Sequence, residues 1–258
     1  MLRYYYFDIN NFISAAQVEE RQVSGDDFTA RYSKYMPYIS KERLEKLLRF
    51  KFEKDRLRSM AGSLMMTAIY ALSGDRMSLP DIMDEHMLCA DHLLSVLRDS
   101  KAAPAQVEFG PYGKPYLVGR RDIPFSLSHS GDYVALAIGS TKDKHTGSIG
   151  IDIQETCSVR NSDSIARRFY TESELDYISG SNNKETAFYK IWTAKEAASK
   201  AVGSGLFTEN LTYEADPNAA IVKVSDKITK ETQLPDNGII PISYPPAPDG
   251  YVCCIAAI

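Results

Sequence analysis

The stretch Phe188 to Lys200, FYKIWTAKEAASK, constrains the fold of this chain more than any other part of the sequence. If the stretch is helical, Trp192, Glu196 and Lys200 lie on one line, because each follows the last by four residues. One rigid element then presents an indole, a carboxylate and an ammonium group. The alternative is an ordinary Glu–Lys pair on a solvated face, which stabilises a helix by only about 0.2–0.5 kcal/mol.

The flanking residues set the length of this predicted helix. A neighbouring stripe has the spacing of a core-facing surface: Ala187, Ile191, Ala194, Ala198 and Ala201. Asn183 can cap the amino end, and Gly203 can end the helix in a left-handed turn. We therefore expect a helix from about residue 184 to 202.

The composition excludes several classes of protein. The 258 residues carry a net charge of −4, which argues against nucleic acid as the main partner. No run approaches 18 apolar residues and no secretion signal is visible, so we expect no membrane span and a cytoplasmic protein. The four cysteines lack CxxC spacing and are expected to be reduced thiols; the adjacent Cys253 and Cys254 should point to opposite faces of a strand.

The first half of the chain is predicted to be mainly helical. Residues 2–9 are aromatic-rich and indicate a strand. Residues 40–54 predict a basic helix capped by Ser40, and an apolar helix follows. Residues 81–99 indicate one further helix or a pair of helices. The run EFGPYGKPYL then brackets Lys114 with turn residues.

From residue 123 the pattern changes to short strands. IPFSLSHSGDYVALAIGS predicts two strands joined by a tight Ser-Gly-Asp turn, and SIGIDIQ at 148–154 predicts a third. Residues 163–178 predict two short helices before the long one. Residues 207–258 predict four more short strands.

These elements predict an α+β fold with two similar lobes, 1–122 and 123–258. Each lobe would pack a small antiparallel-type sheet on a long helix. We expect the active site in the cleft between the lobes, near residues 110–125.

The strand SIGIDIQ carries a candidate metal site. Asp152 and Gln154 share one face, while Ile151 and Ile153 take the other. Together with Glu196 they could offer three oxygen ligands, which suits Mg²⁺. The alternative is that Asp152 caps a helix or pairs with a basic residue.

Two segments could bind an anion. His129 lies before the predicted turn, among the hydroxyls of Ser126, Ser128 and Ser130. No GxSxG elbow is present, so a Ser-His-Asp triad is not supported, and a structural histidine is the alternative. Residues 41–58 are the most basic part of the chain and form either a solvated face or a phosphate site. Without GxxxxGK[ST] or GxGxxG, neither a P-loop nor a Rossmann site is supported.

Four ordered blocks of sequence resemble the 4′-phosphopantetheinyl transferases of the Sfp type. They are YGKP (112–115), FSLSHSG (125–131), IGIDIQ (149–154) and WTAKEAASK (192–200), the last matching W-x-x-K-E-x-x-x-K. The basic segment SKERLEKLLRF…KDRLRS matches as well, so the resemblance covers nearly the whole chain.

The resemblance implies a specific reaction. Such enzymes move the phosphopantetheine arm of coenzyme A onto a serine of an apo acyl or peptidyl carrier protein and release adenosine 3′,5′-bisphosphate. It also implies Mg²⁺, and two lobes related by a pseudo-twofold axis with coenzyme A between them. The first lobe would hold the 3′-phosphate, and the second lobe would hold the metal and the catalytic residues. We expect a monomer.

The resemblance also assigns roles to individual residues. The metal ligands would be Asp152, Gln154 and Glu196, and the catalytic residues Glu196, Lys200, Asp152 and His129. Glu196 is the candidate base for the carrier serine, and Lys200 would stabilise or protonate the leaving phosphate. Coenzyme A would be held by Arg43, Lys46, Arg58, Lys114, Ser128, His129 and Lys200.

One departure leaves an alternative open. The family commonly has an acidic residue where this chain has Gln154, and a neutral amide removes one negative charge from the metal site. A non-catalytic module that binds coenzyme A or a carrier protein is therefore the second hypothesis. A different Mg²⁺-dependent phosphotransferase acting on ATP is the third.

Overall fold

Two sheets and a small hairpin organise the fold. The computed structural model describes residues 2–13, 22–72, 86–110, 112–139, 147–156, 162–204, 213–232, 234 and 238–258. The strands are β1 (Arg3–Asp8), β2 (Met87–Leu88), β3 (Val107–Phe109), β4 (Pro115–Leu117), β5 (Phe125–Ser130), β6 (Tyr133–Ile138), β7 (Ile149–Glu155), β8 (Tyr213–Asp216), β9 (Ile221–Val224), β10 (Ile239–Ser243) and β11 (Tyr251–Ala257). The helices are α1 (Gly25–Arg31), α2 (Lys41–Leu48), α3 (Glu53–Leu72), α4 (Ala90–Asp99), α5 (Ser162–Phe169), α6 (Glu172–Gly180), α7 (Lys184–Val202) and α8 (Asp226–Thr232).

The strands pair in three separate groups. The first sheet has the order β2-β1-β6-β5, and only β1 and β2 are parallel. The second sheet has the order β7-β11-β10-β9-β8, and its neighbouring strands are antiparallel. The strands β3 and β4 form an antiparallel hairpin of their own. The α+β class predicted from the sequence is therefore confirmed.

Each sheet packs on one long helix. The apolar face of α3 is buried against the first sheet, with Leu57, Met60 and Leu64 fully inaccessible. The second sheet packs on α7 in the same way. Ile191, Ala194 and several other alanines of this helix are completely buried. A third cluster joins Tyr6 and two alanines of the first sheet to the isoleucines of β7. The two sheets thus share an apolar interface.

The strand β7 divides its side chains as predicted. Ile151 and Ile153 enter the interface with the first sheet, while Asp152 faces α7. Cys253 and Cys254 also separate, with Cys253 in the interface cluster and Cys254 in the core beneath α7. The alternation follows from the period of two along a strand.

The helix predicted for residues 40–54 is wrong in its second half. Ser40 caps α2 as expected, with its Oγ accepting the Arg43 N–H, but the helix stops at Leu48 and α3 starts at Glu53. The buried Arg56 guanidinium explains the break. It donates to the carbonyl oxygens of Phe50 at 2.8 Å and Leu48 at 3.3 Å, which would otherwise lack partners at the helix end.

The strand pairing bears on the lobe boundary. Residues 125–138, which we assigned to the second lobe, form β5 and β6 and join β1 in the first sheet. The chain passes from the first sheet to the second between residues 138 and 149. The predicted helix at 81–99 is present as α4 from Ala90, and the predictions for residues 73–85 and 205–212 lie outside the described residues.

Candidate active site

The site lies where β5 meets β7, and α7 lies beside β7. The strands β5 and β7 are edge strands of different sheets. Three serines at every second position of β5 bridge the two strands through side-chain hydrogen bonds. Ser126 Oγ accepts the Ile151 N–H at 3.1 Å, and Ser130 Oγ accepts the Glu155 N–H at 3.0 Å. Between them, Ser128 Oγ donates to Asp152 Oδ1 at 2.7 Å. Ser126 and Ser130 thus fix β7 against β5 on either side of Asp152.

Asp152 and Lys200 form the centre of the site. Lys200 Nζ lies 2.6 Å from Asp152 Oδ1, and it also donates to Ser128 Oγ and the Ile151 carbonyl oxygen, each at 3.0 Å. The aspartate side chain is almost completely buried, while that of Lys200 is 30% exposed. Three acceptors therefore hold the ammonium with one side toward solvent.

Gln154 contacts Asp152 through its amide nitrogen. Gln154 Nε2 donates to Asp152 Oδ2 at 3.1 Å, and Ser130 Oγ donates to Gln154 Oε1 at 3.4 Å. The side chain is placed beside the carboxylate, as the shared face of the strand predicts. In this arrangement it acts as a hydrogen-bond donor to Asp152.

Glu196 supplies a second carboxylate on α7. Burial, and next the negative charge of Asp152, raise its pKa above the ordinary 4.5, while Lys200 acts in the opposite direction. Trp192, Glu196 and Lys200 are all half-buried, whereas most of the residues between them are buried. The line of three residues predicted from their spacing is confirmed.

The two carboxylates fit a hard cation. Within the described residues, no three His, Cys, Asp or Glu side chains cluster as metal ligands. At this site the candidate donors are two carboxylates, Asp152 and Glu196, with the amide oxygen of Gln154. Two anionic groups face each other here with one nearby lysine, and oxygen donors of this kind suit Mg²⁺.

His129 and Arg58 extend the site toward α3. The surrounding protein desolvates the His129 ring and lowers its pKa, and the positive charges of Arg58 and Lys200 act in the same direction. Part of the ring remains exposed. Arg58 pairs with Asp55 at 3.3 Å, yet its Nε–H is buried with no partner. An unpaired buried donor costs about 1–3 kcal/mol, so an anion that accepts this N–H would be favoured.

The other two predicted cations of the basic segment, Arg43 and Lys46, both lie on α2. Arg43 is half-buried, with its Nε 3.4 Å from Ser63 Oγ, and burial lowers its pKa. Lys46 is exposed, with its Nζ 5.5 Å above the Phe109 ring.

Lys114 makes contacts that the sequence does not indicate. Its Nζ donates to Ser148 Oγ at 2.5 Å and to the carbonyl oxygens of Lys200 at 2.7 Å and Ala201 at 2.8 Å, with Ile149 O at 3.3 Å. Burial lowers the pKa of this lysine to about 8. We expected Lys114 to contact a phosphate, whereas its ammonium lies on the last turn of α7.

A buried ion pair holds the other side of α7. Lys195 Nζ lies 2.7 Å from Glu174 Oε2 and donates to the Phe169 carbonyl oxygen at 2.8 Å. Glu174 also accepts the N–H groups of Thr171 and Ala215. Lys195 thus points away from Glu196, as the helical spacing predicts, and ties α7 to α6 and β8.

Trp192 packs among aromatic rings. Its ring lies 6.5 Å from those of Phe169 and Phe188. The sequence did not predict the structural roles of Ser126 and Ser130, nor that of Gly150, where a Cβ would clash with the backbone of Ala197 and Ala201. The Ser-x-Ser-x-Ser alternation on a predicted strand was the available signal for the two serines.

Comparison with known proteins shows what this part of the chain is similar to. Residues 148–254 match the model of the 4′-phosphopantetheinyl transferase superfamily. A putative 4′-phosphopantetheinyl transferase of Haemophilus influenzae is 32% identical over 44% of this chain, and the match covers 47% of that protein. The chain thus spans about half the length of that relative.

Two further relatives match more of the chain. The 4′-phosphopantetheinyl transferase Sfp of Bacillus subtilis is 28% identical over 67% of this chain and 64% of its own length. The 4′-phosphopantetheinyl transferase gsp of Aneurinibacillus migulanus is 24% identical over 85% of this chain and 76% of its own. The matched region 148–254 contains Asp152, Gln154, Glu196 and Lys200. Over the region that carries these residues, the chain is therefore similar to the 4′-phosphopantetheinyl transferase superfamily.

Proposed function

We propose that the protein transfers the 4′-phosphopantetheine group of coenzyme A to a serine of an apo acyl or peptidyl carrier protein. The observation that carries the proposal is a pair of interacting carboxylates, Asp152 and Glu196, with the ammonium group of Lys200 bonded to Asp152. The family and its named relatives support the reaction class.

In this reaction the carrier serine attacks the phosphorus next to the pantetheine arm. A new P–O bond to the serine forms, and the bond to the leaving adenosine 3′,5′-bisphosphate breaks. Glu196 accepts the serine proton, directly or through a water. Lys200 stabilises the charge that develops on the leaving phosphate.

Mg²⁺ would be held by Asp152 and Glu196, with Gln154 as a neutral third ligand. When bound, it neutralises charge on the pyrophosphate of coenzyme A. It would also offset the repulsion between the two carboxylates, which already shows in the raised pKa of Glu196. Gln154 would have to exchange its present bonds to Asp152 and Ser130 in order to offer its oxygen.

The phosphates of coenzyme A would lie toward the first sheet. Arg58 on α3 has a buried Nε–H without a partner, His129 is exposed on β5, and Arg43 and Lys46 belong to α2, which contacts α3. We propose that Arg43, Lys46 and Arg58 bind the 3′-phosphate, that His129 contacts the phosphates of coenzyme A, and that Ser128 contacts the nucleotide. The two sheet-and-helix units would be the two lobes of a monomer, with a pseudo-twofold relation.

The structure contains no helix, within its described residues, that is long and apolar enough to cross a bilayer.

The test is transfer to a carrier protein weighed by intact mass spectrometry. The protein, coenzyme A, Mg²⁺ and an apo carrier should give a mass gain of one phosphopantetheinyl group, abolished by chelator or by Glu196→Gln. Glu185→Gln is the matched control, because Glu185 is exposed in the first turn of the same helix. An active Glu196→Gln variant would remove Glu196 from the mechanism.

A second outcome would favour the non-catalytic module. In that outcome several apo carriers gain no mass although coenzyme A binds. The hydrogen bond from the Gln154 amide to Asp152 would then explain the missing metal chemistry. Gln154→Glu would then be the first variant to test for recovered turnover.

A further inference from the structure

The side chain of Lys114 joins the β3–β4 hairpin to the catalytic helix. Lys114 follows Gly113, whose φ is +83°, and the hairpin turn is closed by bonds between Gly110 and the Gly113 and Lys114 backbones. From there the side chain reaches two carbonyl oxygens in the last turn of α7, those of Lys200 and Ala201. It also reaches Ser148 at the start of β7.

The position of this ammonium matches what a helix end requires. The last carbonyl groups of a helix lack partners within the helix and carry a partial negative charge. A cation that donates to two of them satisfies both needs at once. Gly203, with φ of +78°, ends the helix, and a Cβ built there would lie 3.3 Å from Lys114 Cδ. Its lack of a side chain leaves room for the lysine stem.

One of the two carbonyls belongs to Lys200 itself. Lys200 Nζ is held by three acceptors on β5 and β7, so its function depends on where its backbone lies. Lys114 fixes the backbone of Lys200. Its bond to Ser148 also fixes that backbone relative to β7. Ser148 Oγ completes the clamp by donating to the Ala201 carbonyl oxygen at 2.6 Å.

We infer that Lys114 is a positioning residue, which clamps the last turn of α7 so that Lys200 is held on the reacting phosphate, and that it is not a ligand of coenzyme A. The expected effect of Lys114 on kcat rests on the proposed function, whereas the clamp itself does not. The four oxygens that its Nζ contacts all belong to the protein, and a phosphate contact would have to replace some of them.

The kinetic test separates positioning from binding. Lys114→Met should lower kcat for transfer to the apo carrier by about 10- to 100-fold, since a misplacement of about 1 Å costs up to that much. The Kd for coenzyme A, measured by calorimetry, should change by less than about threefold. Lys34→Met is the control, because Lys34 is a half-exposed lysine whose partner Asp91 lies 3.7 Å away on α4. A coenzyme A affinity that falls with kcat would overturn the inference.

A double-mutant cycle asks whether the effect runs through Lys200. In a Lys200→Met background, Lys114→Met should cost less than about twofold in kcat, because the group that it positions is already absent. A general structural role would lower activity equally in both backgrounds, and that result would also overturn the inference.

Hydrogen exchange tests the clamp without any substrate. Lys114→Met should speed amide exchange in residues 197–204, where the Gly203 N–H donates to the Ser199 carbonyl oxygen, but not in α2. Unchanged exchange there would contradict the clamp. If wild-type protein transfers nothing to any carrier yet the exchange result holds, the proposed function fails and the clamp stands.

A second variant covers the case in which Lys114→Met does not fold. Ser148→Ala removes one acceptor and one donor of the same clamp and keeps the charge. We expect a loss of about twofold to tenfold in kcat, with coenzyme A affinity unchanged. Wild-type kcat and exchange in Ser148→Ala would count against the clamp.

Discussion

Gly150 controls how closely the catalytic helix approaches β7. A Cβ built on Gly150 would lie 2.6 Å from the Ala201 nitrogen and 2.9 Å from the Ala197 carbonyl carbon, and closer still to the Ala197 oxygen. Ordinary contact starts at 3.4 Å, so Gly150→Ala requires the helix to move by at least 0.8 Å (3.4 minus 2.6). All three contacts are with backbone atoms of α7, which cannot move away by a change of side-chain rotamer.

The displacement should affect stability and activity together. Overpacking of this kind costs about 1–3 kcal/mol in the free energy of unfolding. Moving Glu196 and Lys200 away from Asp152 by nearly 1 Å should lower kcat by about 10- to 100-fold. Urea unfolding gives the first quantity, and transfer to an apo carrier followed by mass spectrometry gives the second.

Gly62→Ala provides the matched control. Gly62 lies inside α3, and a Cβ there would make an ordinary 3.8 Å contact with Leu127 Cδ1. This change should stabilise the protein by about 0.5–1 kcal/mol and leave kcat unaltered. If Gly150→Ala matched this control in both assays, the close packing of α7 on β7 would be refuted as the reason for glycine at position 150.

Three further predictions concern charged groups around the site. First, the raised pKa of Glu196 means that the folded, metal-free protein holds a proton that the unfolded chain loses near pH 4.5; its stability should therefore fall as the pH rises above 4.5 through the folded pKa. Glu196→Gln should flatten the thermal-melting profile, and a profile that keeps its slope would point to another group. Second, Lys195→Met should destabilise the fold by about 3–5 kcal/mol in urea unfolding, since Glu174 would stay buried without its cation; an unchanged midpoint would show that the backbone donors to Glu174 suffice. Third, Gln154→Glu should tighten Mg²⁺ binding by up to about tenfold in calorimetry, because it adds a negative charge next to Asp152, and weaker binding would rule out position 154 as a ligand.

Periodic features of the sequence were the most predictable. The bounds of α7, its Asn183 cap and its left-handed end at Gly203 follow from side-chain spacing and capping chemistry alone. The faces of β7 follow from alternation in the same way. These are local properties, and each is decided by residues within a few positions of one another.

Features that depend on distant partners were not predictable. The break after Leu48 depends on Arg56, whose guanidinium reaches back to carbonyl groups of the chain before it. The contacts of Lys114 depend on residues 34 to 87 positions away in sequence. A sequence pattern marks such a lysine as a cation near a turn, but it does not indicate which oxygens the ammonium will meet.

The serine bridges between β5 and β7 also protect the molecule from self-association. Each strand is the last of its sheet, and a bare edge with free N–H and C=O groups is a template for pairing with another chain. Here each edge covers the other, and Ser126 and Ser130 occupy two of the β7 N–H donors. During synthesis the β5 edge is complete before residues 149–155 exist. We therefore expect a fragment that ends near residue 139 to aggregate, whereas the longer chain covers this edge with its own β7.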